Sequence, residues 1–344
     1  MTDSRPLISI IIVNFNTKDL LEQCLRSIYA NSCNYLYEII VVDNASRDDS
    51  LEMLKQQFPT VYAIDNKQNL GFSKANNFGI EKAKGKYVLL LNSDTIVLEN
   101  TLNHLFEFLE NNKNITAVGP KLLNYDKTIQ RSWFDFPNPL KTFSNLTGLS
   151  FYIVKLKNSL FLKLFFSGRK KPAFMINAIP EAREMDYLTL ACLLIRKDML
   201  NKIGNLDEQI FFYHEDCELG YRFRASQMKT YYLPAATIIH LGGSSSQKNI
   251  LMSFEQFYLN LLYVFKKYES KIKYFQLKML LLIAFIIRAF FWSFGVYRRI
   301  NMFGVYSANP QKNDIYRPKD IDVLKLYFKM INTLLFNKKR IPKN

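Results

Sequence analysis

The 344-residue sequence predicts an α/β fold with a mostly parallel sheet, followed by a basic region of amphipathic helices. Short apolar runs alternate with helical patterns through about the first ninety residues, which is typical of right-handed βαβ units. Three of these runs end on Asn or Asp. The content of 49% hydrophobic and 22% charged residues excludes a disordered or fibrous protein.

The first predicted strands are near-continuous β-branched or aliphatic runs, typical of parallel strands buried on both faces. They are expected at residues 8–13, 38–42, 61–65 and 87–91. Helices are expected between them, at residues 18–29, 48–58 and 74–84. Thr17 is the predicted N-cap of the first helix, whose apolar residues recur at helical spacing.

The second half carries fewer signals until residue 187. Further strands are expected at residues 187–196, 231–233 and 237–239, with helices at 197–203 and from about 215. Helices at 254–268 and 277–294 follow. Four cysteines without a C-x-x-C pair indicate packing residues in a reducing compartment, and the apolar run near the N-terminus is too short for a signal sequence. We therefore expect a cytoplasmic protein.

Polar residues at the strand ends are the candidate functional groups. Asn14, Asp43 and the Asn92-Ser93-Asp94 segment each follow a buried strand, and the carboxyl ends of parallel strands meet at one edge of a sheet. Each segment alone could close its strand with an ordinary Asx turn, but their convergence favours a ligand site. The first strand is not followed by G-x-G-x-x-G, and no P-loop motif occurs, so neither the dinucleotide-binding nor the P-loop mechanism fits.

Four ordered motifs carry a resemblance to a known family: VNFN at 13–16, VVDNAS at 41–46, NLGFSKANNFGI at 69–80 and LLLNSDT at 89–95. Together they resemble the nucleotide-sugar motifs of family 2 glycosyltransferases of the GT-A fold, in particular the rhamnosyltransferase-like bacterial branch. The resemblance recurs at 211–245 and covers most of residues 7–250. It implies an inverting hexosyltransferase that uses a TDP- or UDP-linked sugar, with rhamnose as one candidate.

The resemblance assigns roles to individual residues. Phe15 and Asp43 would hold the base. The whole set expected to bind the nucleotide sugar is Asn14, Phe15, Asn16, Asp43, Asn44, Gly71, Asn77, Asn92 and Ser93. Asp94 would bind the metal at the D-x-D position, where this sequence has Asn92 in place of the first Asp, and His240 would be a further metal or diphosphate ligand. His104 and His214 are expected to be packing or surface residues.

A divalent cation suits this chemistry because a departing diphosphate carries two to three negative charges. One carboxylate plus substrate oxygens favours Mg²⁺ or Mn²⁺, whereas Zn²⁺ prefers more nitrogen and sulfur ligands.

Acidic residues crowd the start of the helix near residue 215, after three aromatic residues. Inverting sugar transfer needs a carboxylate that takes the proton of the acceptor hydroxyl. By the resemblance, Asp216 is the expected base and Glu215 a positioning residue. Glu218 is expected instead to pair with Arg222, four residues on. The family's glycine near the acceptor is missing from residues 189–192, so no acceptor contact is carried over there.

The net charge of +16 belongs to two segments. Residues 141–171 carry seven basic and no acidic side chains, and residues 266–344 carry 17 basic and four acidic ones. Both are rich in long apolar side chains, which favours an anionic membrane surface over nucleic acid as the partner. Residues 151–166 fit either lipid-facing helices or an ordinary inserted hairpin. The uninterrupted apolar run at 279–287 is only nine residues long, which suits a helix lying in the interface better than a spanning one.

These observations predict a catalytic domain over residues 1–250, with a basic insertion at 141–171, and a membrane-associating helical region over 251–344. The predicted enzyme is peripheral on the cytoplasmic face of a bacterial membrane and extends a lipid-linked or cell-surface glycan. A sugar-phosphate nucleotidyltransferase is an alternative, but the loop after the first strand, VNFNTKD, lacks the glycines that hold a triphosphate. A non-enzymatic basic protein that binds membrane or nucleic acid is a second alternative. The sugar, acceptor and oligomeric state are left open.

Overall fold

The structure, a computed structural model, describes residues 5–31, 33–149, 179–242, 250–294 and 319–336. The chain forms two compact units: Met1–Phe136 with Ile176–Ser246, and Pro137–Met175 with Gln247–Asn344. Residues 137–175 thus group with the C-terminal helices. The apolar residues predicted to face lipid at 151–166 lie outside the described part of the chain.

The first half of the first unit is a parallel βαβ array, as predicted. Its strands are β1 (Ile8–Asn14), β2 (Tyr37–Asp43), β3 (Tyr62–Asp65) and β4 (Tyr87–Asn92). Its helices are α1 (Lys18–Ala30), α2 (Ser50–Gln57) and α3 (Phe72–Lys82). β1 pairs in parallel with both β2 and β4, and β2 pairs in parallel with β3. The α/β class is confirmed.

The second half of this unit completes a mixed sheet. Its strands are β5 (Thr95–Val97), β6 (Ile115–Leu123), β7 (Ile129–Gln130), β8 (Trp133–Phe134), β9 (Arg183–Met185), β10 (Tyr187–Leu188), β11 (Cys192–Arg196) and β12 (Lys229–His240). Its helices are α4 (Thr101–Asn111), α6 (Lys197–Ile203) and α7 (Glu215–Ala225). The ten-stranded sheet runs β3-β2-β1-β4-β11-β6-β12-β5, with β7 beside β6 and β9 beside β12. β11 is antiparallel to both of its neighbours.

The predicted strand at residues 187–196 is wrong as a single element. β10 pairs with β8 in a separate two-stranded sheet, whereas β11 joins the main sheet. Between them the backbone turns aside: Thr189 N–H donates to the Ser132 carbonyl, and the Ala191 carbonyl accepts from Asn92 N–H. A continuous apolar run cannot reveal this break because both strands are buried.

β12 shows the opposite error, since one strand replaces the two short ones expected. Its pairing with β6 continues through a register shift between Leu233 and Thr237. This irregularity contains Pro234, which has no N–H to donate to a ladder. The strand therefore continues to His240 and delivers that side chain at its end.

The sheet is covered on both faces, which explains the unbroken apolar runs. Ile10 and Ile12 pack into one cluster with α1, whereas Ile11, which points to the other face, packs into a second cluster with α3. Thr17 does not cap α1 with its side chain. The Lys18 N–H is instead accepted by Asp48 from the loop after β2, at 2.8 Å.

The second unit is helical in its described part. It contains α5 (Pro139–Thr147), α8 (Ile250–Tyr268), α9 (Lys271–Ser293) and α10 (Asp320–Phe336), which share an apolar core. Arg288 of α9 is fully buried in this unit and donates to the Tyr327 hydroxyl at 2.9 Å and the Leu146 carbonyl at 2.6 Å.

α9 is longer than the apolar run read from the sequence. At 23 residues it is, among the described helices, the one long and apolar enough to cross a membrane by length and composition. Within the most apolar 18-residue stretch of α9, 39% is buried inside the protein. Core helices of soluble proteins can be equally long and apolar. The apolar run read from the sequence ends before Arg288, because a charged residue normally interrupts such a run. In the structure the Arg288 guanidinium is buried inside the second unit.

Candidate active site of the first unit

The carboxyl ends of β1, β2 and β3 border a cavity of about 710 Å³. Asn14, Asp43 and Asp65 are in register across these three strands. The cavity is lined by Phe15, Asn16, Asp43, Ala45, Ser46, Arg47, Leu51, Asp65, Lys67, Gln68 and Asn69. The predicted convergence of strand ends is therefore present, and Phe15, Asn16 and Asp43 lie where the sequence placed them.

Three residues around this cavity have a left-handed backbone: Asn16 (φ 53°), Ala45 (φ 65°) and Lys67 (φ 56°). Such conformations are costly for residues other than glycine and cluster at ligand sites. Here side chains hold them, because Ser46 Oγ accepts the Asn16 N–H at 2.9 Å and Asn16 Oδ1 accepts the Arg47 N–H at 2.7 Å. The loops after β1 and β2 are thereby locked together.

Asn14, expected to bind the nucleotide sugar, is fully buried and bonded within the protein. Its amide donates to Asp43 at 2.8 Å and to Ser46 at 3.1 Å, and its oxygen accepts from the Thr17 hydroxyl at 2.7 Å. Both amide hydrogens and the carbonyl are therefore used. The Thr17 hydroxyl also lies 3.0 Å from that of Ser93, so Asn14 ties the cavity to the tip of β4.

Asn44 and Asn77 are likewise tethers. Asn44 donates to the Gly71 carbonyl at 3.1 Å and accepts from Asn66 at 2.8 Å. Asn77 bonds to both the N–H and the carbonyl of Leu206, each at 2.9 Å, and does not line the cavity.

Gly71 meets a steric demand at the start of α3. It has φ +81°, and a Cβ there would lie 2.5 Å from the Phe211 ring and 2.6 Å from its carbonyl oxygen. The next residue, Phe72, donates its N–H to the same carbonyl. Gly71 thus allows the loop before α7 to approach the loop after β3.

The structure brings Asp94 and His240 together, although 146 positions separate them. Asp94 Oδ1 lies 3.2 Å from His240 Nε2, and both side chains are mostly buried. Burial raises the pKa of Asp94, but the adjoining His240 ring, with backbone N–H groups including that of Gly242, outweighs it and leaves this pKa below its usual value. Asn92 Nδ2 lies 3.3 Å from the same ring nitrogen.

Glu215 and Asp216 open α7 directly after two left-handed residues, Tyr213 (φ 68°) and His214 (φ 70°). Burial raises the pKa of Glu215, and the neighbouring charge of Asp216 raises it further. Burial also raises the pKa of Asp216, opposed by backbone N–H groups, including that of Cys217 at 2.7 Å. Glu215 Oε2 is buried with no hydrogen-bond partner among the described residues. The strained turn therefore holds two adjacent carboxyl groups in a poorly solvated position.

Glu218 takes the structural role expected of it. It is fully buried and accepts two hydrogen bonds from Arg222, at 2.8 and 3.0 Å, within α7. Arg222 also donates to the carbonyls of Ile203 and Gly204. Since both Glu218 and its partner are committed to packing, Glu215 and Asp216 are the acidic residues of this turn with chemistry to offer.

Comparison with known proteins adds the family. Residues 9–175 match the family model described as glycosyl transferase family 2. All four sequence motifs, the last of which contains Asp94, lie within the matched region, so the family model agrees with the resemblance read from the sequence over this part of the chain.

The curated relatives of the chain include distant glycosyltransferases. It is 23% identical over 293 residues to the low-salt glycan biosynthesis hexosyltransferase Agl10 of Haloferax volcanii, covering 83% of this chain and 85% of the relative. It is 22% identical over 251 residues to the N-acetylglucosaminyl-diphospho-decaprenol L-rhamnosyltransferase of Mycobacterium tuberculosis, covering 70% and 76%. An uncharacterized glycosyltransferase of Methanocaldococcus jannaschii is 30% identical over 118 residues, but the match spans only 33% of this chain and 41% of that protein.

Solved structures show that the fold is GT-A. The mannosyltransferase PcManGT of Pyrobaculum calidifontis, solved with GDP-mannose and Mn²⁺, superposes with a TM-score of 0.53 at 14% identity, covering 97% of this chain and 88% of that one. GalNAc-T7, solved with UDP, GalNAc and Mn²⁺, gives the same TM-score and identity but only 56% of its chain is covered.

The Asp94 and His240 pair fits a divalent cation. Two neighbouring ligands of an octahedral ion, each about 2.1 Å from it, lie about 3.0 Å apart, close to the 3.2 Å between Asp94 Oδ1 and His240 Nε2. Within the described residues no group of three His, Cys, Asp or Glu side chains could hold a metal ion. The remaining ligands of such an ion would therefore have to come from elsewhere, such as substrate oxygens or water.

Sequence reasoning missed several residues at this site. Asp65 and Lys67 line the cavity, and Lys67 Nζ lies 2.5 Å from Asp65 Oδ2. The sequence could have indicated Asp65, because this residue also stands at the end of a predicted strand. Gln130, whose Oε1 lies 2.6 Å from His240 Nδ1, carried no motif at all.

Proposed function

We propose that the chain is an inverting, metal-dependent hexosyltransferase that moves a sugar from a nucleoside diphosphate to a hydroxyl group of a growing glycan. One observation carries the proposal: Asp94 and His240 form a two-donor site that Ser93, Thr17 and Asn14 join by hydrogen bonds to the cavity at the strand ends. A nucleoside diphosphate has matching parts, a base and ribose for the cavity and a diphosphate beside Asp94.

The cavity binds the nucleoside in this proposal. Phe15 offers an aromatic face, and Asp43, whose oxygens accept from Asn14 and the Ser46 N–H, presents a buried carboxylate to N–H groups of a base. Asn14, Asn44 and Asn77 keep the surrounding loops fixed, so that little conformational entropy is lost when the nucleotide binds. Asn92 and Ser93 carry Asp94 into the diphosphate position.

Asp94 and His240 hold the cation. The chemistry that Mg²⁺ or Mn²⁺ supplies there is charge neutralisation on the departing diphosphate. His240 Nε2 and Asp94 Oδ1, which lie 3.2 Å apart, would hold the ion, and diphosphate oxygens and water would supply its remaining ligands.

Asp216 takes the proton of the acceptor hydroxyl. Its pKa is raised by burial, which makes it a stronger base than an ordinary Asp, while the larger rise in the pKa of Glu215 keeps that neighbour protonated and uncharged near neutral pH. A protonated Glu215 donates a hydrogen bond through Oε2, which has no partner among the described residues, and so orients a sugar hydroxyl.

The acceptor in this proposal is a lipid-linked or cell-surface glycan on the cytoplasmic face of the membrane. The name of the M. tuberculosis relative gives a diphospho-decaprenol acceptor, and that of the H. volcanii relative gives glycan biosynthesis. Rhamnose is one candidate sugar and a TDP- or UDP-linked donor the corresponding substrate.

The second unit provides the membrane contact. Over about the last four turns of α9, the exposed side chains are apolar apart from Ser293: Met279, Ile283, Ile286, Phe290 and Phe291. The described residues of this unit carry ten Lys and Arg against four Asp and Glu. An apolar helix face in a basic setting matches an anionic bilayer surface, where each well-placed basic residue contributes about 1 kcal/mol. The inner face of α9 packs on other helices, which favours a helix that lies on the membrane.

Thermal unfolding with a panel of nucleotide sugars tests the donor. We expect a TDP- or UDP-linked sugar with Mn²⁺ to raise the melting temperature more than the sugar or Mn²⁺ alone, because a ligand selective for the folded state stabilises it in proportion to ln(1 + [L]/Kd). Incubation of the selected donor with membrane extract should then yield a labelled lipid. If no nucleotide sugar raises the melting temperature, the proposed donor class is contradicted. If the melting temperature rises equally in excess chelator, the proposed metal dependence is contradicted.

A further inference from the structure

Gln130, at the end of β7, makes three contacts that together fix its side-chain amide. Its Nε2 donates to Asn124 Oδ1 at 3.1 Å and to the His240 carbonyl at 3.3 Å, and its Oε1 lies 2.6 Å from His240 Nδ1. Exchanging the two ends of the amide would place Oε1 against two oxygens that cannot donate. The amide therefore has one orientation, with Oε1 facing the imidazole.

This orientation determines where the His240 ring carries its proton. An amide oxygen can only accept a hydrogen bond, so Nδ1 must be the protonated nitrogen. A neutral ring then has its lone pair on Nε2. The environment of Nε2 agrees, because the Asn92 amide lies 3.3 Å away and can donate to that lone pair.

The lone pair of Nε2 is directed towards a carboxylate, since Asp94 Oδ1 lies 3.2 Å away. Two electron-rich atoms at this distance repel each other unless a cation lies between or beside them. If the neutral ring instead carried its proton on Nε2, Nε2 would donate to Asp94, and neither Nε2 nor Asp94 Oδ1 would be available to a cation. Gln130 excludes this tautomer, because its Oε1 requires the proton on Nδ1.

We propose that Gln130 is a positioning residue: it keeps the proton of the neutral His240 ring on Nδ1 and so reserves Nε2, beside Asp94, for the cation of the donor complex. The inference rests on the proposed function for the identity of that cation, but not for the state of the ring.

Nitrogen-15 NMR of the histidine rings tests the first half of this proposal. The chain has only three histidines, so the signals of His240 can be assigned with a His240→Ala variant. In metal-free full-length protein, titrated upward from pH 7 until the ring signals stop changing, we expect Nδ1 protonated in the wild type and in Gln130→Glu, which keeps an acceptor. Gln130→Met, of similar length but without an acceptor, should move the proton to Nε2.

Binding of Mn²⁺ in the presence of UDP or TDP, followed by electron paramagnetic resonance of the free ion, tests the second half. Partners of metal-binding histidines typically contribute 10- to 100-fold to metal affinity, so Gln130→Met should weaken Mn²⁺ binding by about that factor, with Gln130→Glu closer to the wild type. Gln56→Ala, which loses only a contact to Glu52 on the surface of α2, is the matched control and should change neither reading.

A wild-type ring protonated on Nε2, or a tautomer unchanged in Gln130→Met, would overturn the proposal. If the tautomer shifts as expected but the wild type does not bind Mn²⁺ with either nucleotide, the proposed metal dependence fails and the role of Gln130 in orienting the ring stands. If Gln130→Met does not fold, the wild type and Gln130→Glu decide the first half of the proposal. Both keep an acceptor towards Nδ1, so a ring protonated on Nε2 in either protein would overturn it.

Discussion

At the scale of single residues, Asp216 and Glu215 are distinguished by their surroundings. Both carboxyls have raised pKa values, with burial as the main cause, and the pKa of Glu215 is raised further by the charge of its neighbour. Asp216 Oδ1 accepts the Cys217 N–H, which favours its charged form, whereas Glu215 Oε2 has no hydrogen-bond partner among the described residues, so the proposal assigns the role of base to Asp216. The strained turn formed by Tyr213 and His214 holds the pair at the start of α7.

Asp216→Asn should lower turnover by roughly 100-fold or more and leave the donor affinity nearly unchanged, because an amide cannot accept the proton. As the pH is lowered, the transfer rate of the wild type should fall with a midpoint above about 4, the ordinary pKa of Asp, because the pKa of Asp216 is raised. Initial rates and nucleotide titrations measure both quantities. Near-normal transfer by Asp216→Asn would move the role of base to Glu215.

Glu215 should make stability depend on pH. A carboxyl whose pKa is higher in the folded protein than in the unfolded chain supplies stability that is full below the unfolded pKa of about 4.3 and is lost as the pH rises through the folded value. Glu215→Gln should therefore melt a few degrees above the wild type at pH 9, since 1 kcal/mol corresponds to about 2–4 °C at this size. Glu99→Gln, at an exposed site, is the control. Parallel pH curves for all three proteins would refute this.

Asp94→Ala should abolish the metal-dependent part of donor binding, and His240→Ala should weaken it less, because a carboxylate is the harder ligand for Mg²⁺ or Mn²⁺. Calorimetric titration of UDP and TDP, with and without Mn²⁺, separates the two contributions. Nucleotide binding without metal should be similar in both variants, as neither side chain lines the nucleoside cavity. Full transfer activity of the wild type in excess chelator would contradict a metal role.

At the scale of elements, helix α3 shows how one motif serves packing and binding together. Gly71 at its start allows the close approach of Phe211, and Asn77 within it binds the backbone of Leu206. The resemblance assigned Asn77 to the nucleotide pocket, whereas its hydrogen bonds join α3 to the segment before α7.

Asn77→Ala and Phe15→Ala should therefore separate stability from affinity. Asn77→Ala leaves the N–H and carbonyl of buried Leu206 without partners and should cost about 1–3 kcal/mol of unfolding free energy, with little change in nucleotide affinity. Phe15→Ala should weaken nucleotide binding about tenfold, as stacking on one base contributes about 1–3 kcal/mol, and change stability less. Denaturant unfolding and nucleotide titration of both variants measure this; the reverse pattern would restore Asn77 to the binding site.

At the scale of the whole molecule, the proposed membrane contact depends on the second unit. Its core joins α8, α9 and α10, so deleting α9 would remove the packing of the other helices along with the surface. Point changes on the exposed face of α9 are the cleaner test.

The double variant Ile283→Glu with Phe290→Glu should bind anionic vesicles at least tenfold more weakly than the wild type, because it places two acids on the apolar face. Leu36→Glu with Tyr125→Glu, at exposed apolar sites of the first unit, is the matched control. High salt should release the wild type only in part, since salt screens charge but not apolar burial. Equal vesicle binding by the two double variants would show that α9 does not contact the membrane. If instead the wild type dimerises with increasing concentration and only the α9 variant does not, the partner of this face is a second copy of the chain.

The sequence by itself determined the parallel half of the sheet and the polar strand ends. Each of these follows from local patterns, since periodicity predicts a strand and the carboxyl ends of parallel strands share an edge. The pairing of Glu218 with Arg222 was equally accessible, because residues four apart are neighbours on a helix.

Only the tertiary structure decided which polar side chains are available to a ligand. Asn14 meets Asp43 across 29 residues, Gln130 meets His240 across 110, and Asn77 meets Leu206 across 129. A hydrogen bond between residues so far apart leaves no periodic or motif signal in the sequence, because it depends on where the strands and helices come together. For the same reason the inward direction of Arg288 was invisible: its partners lie on other helices.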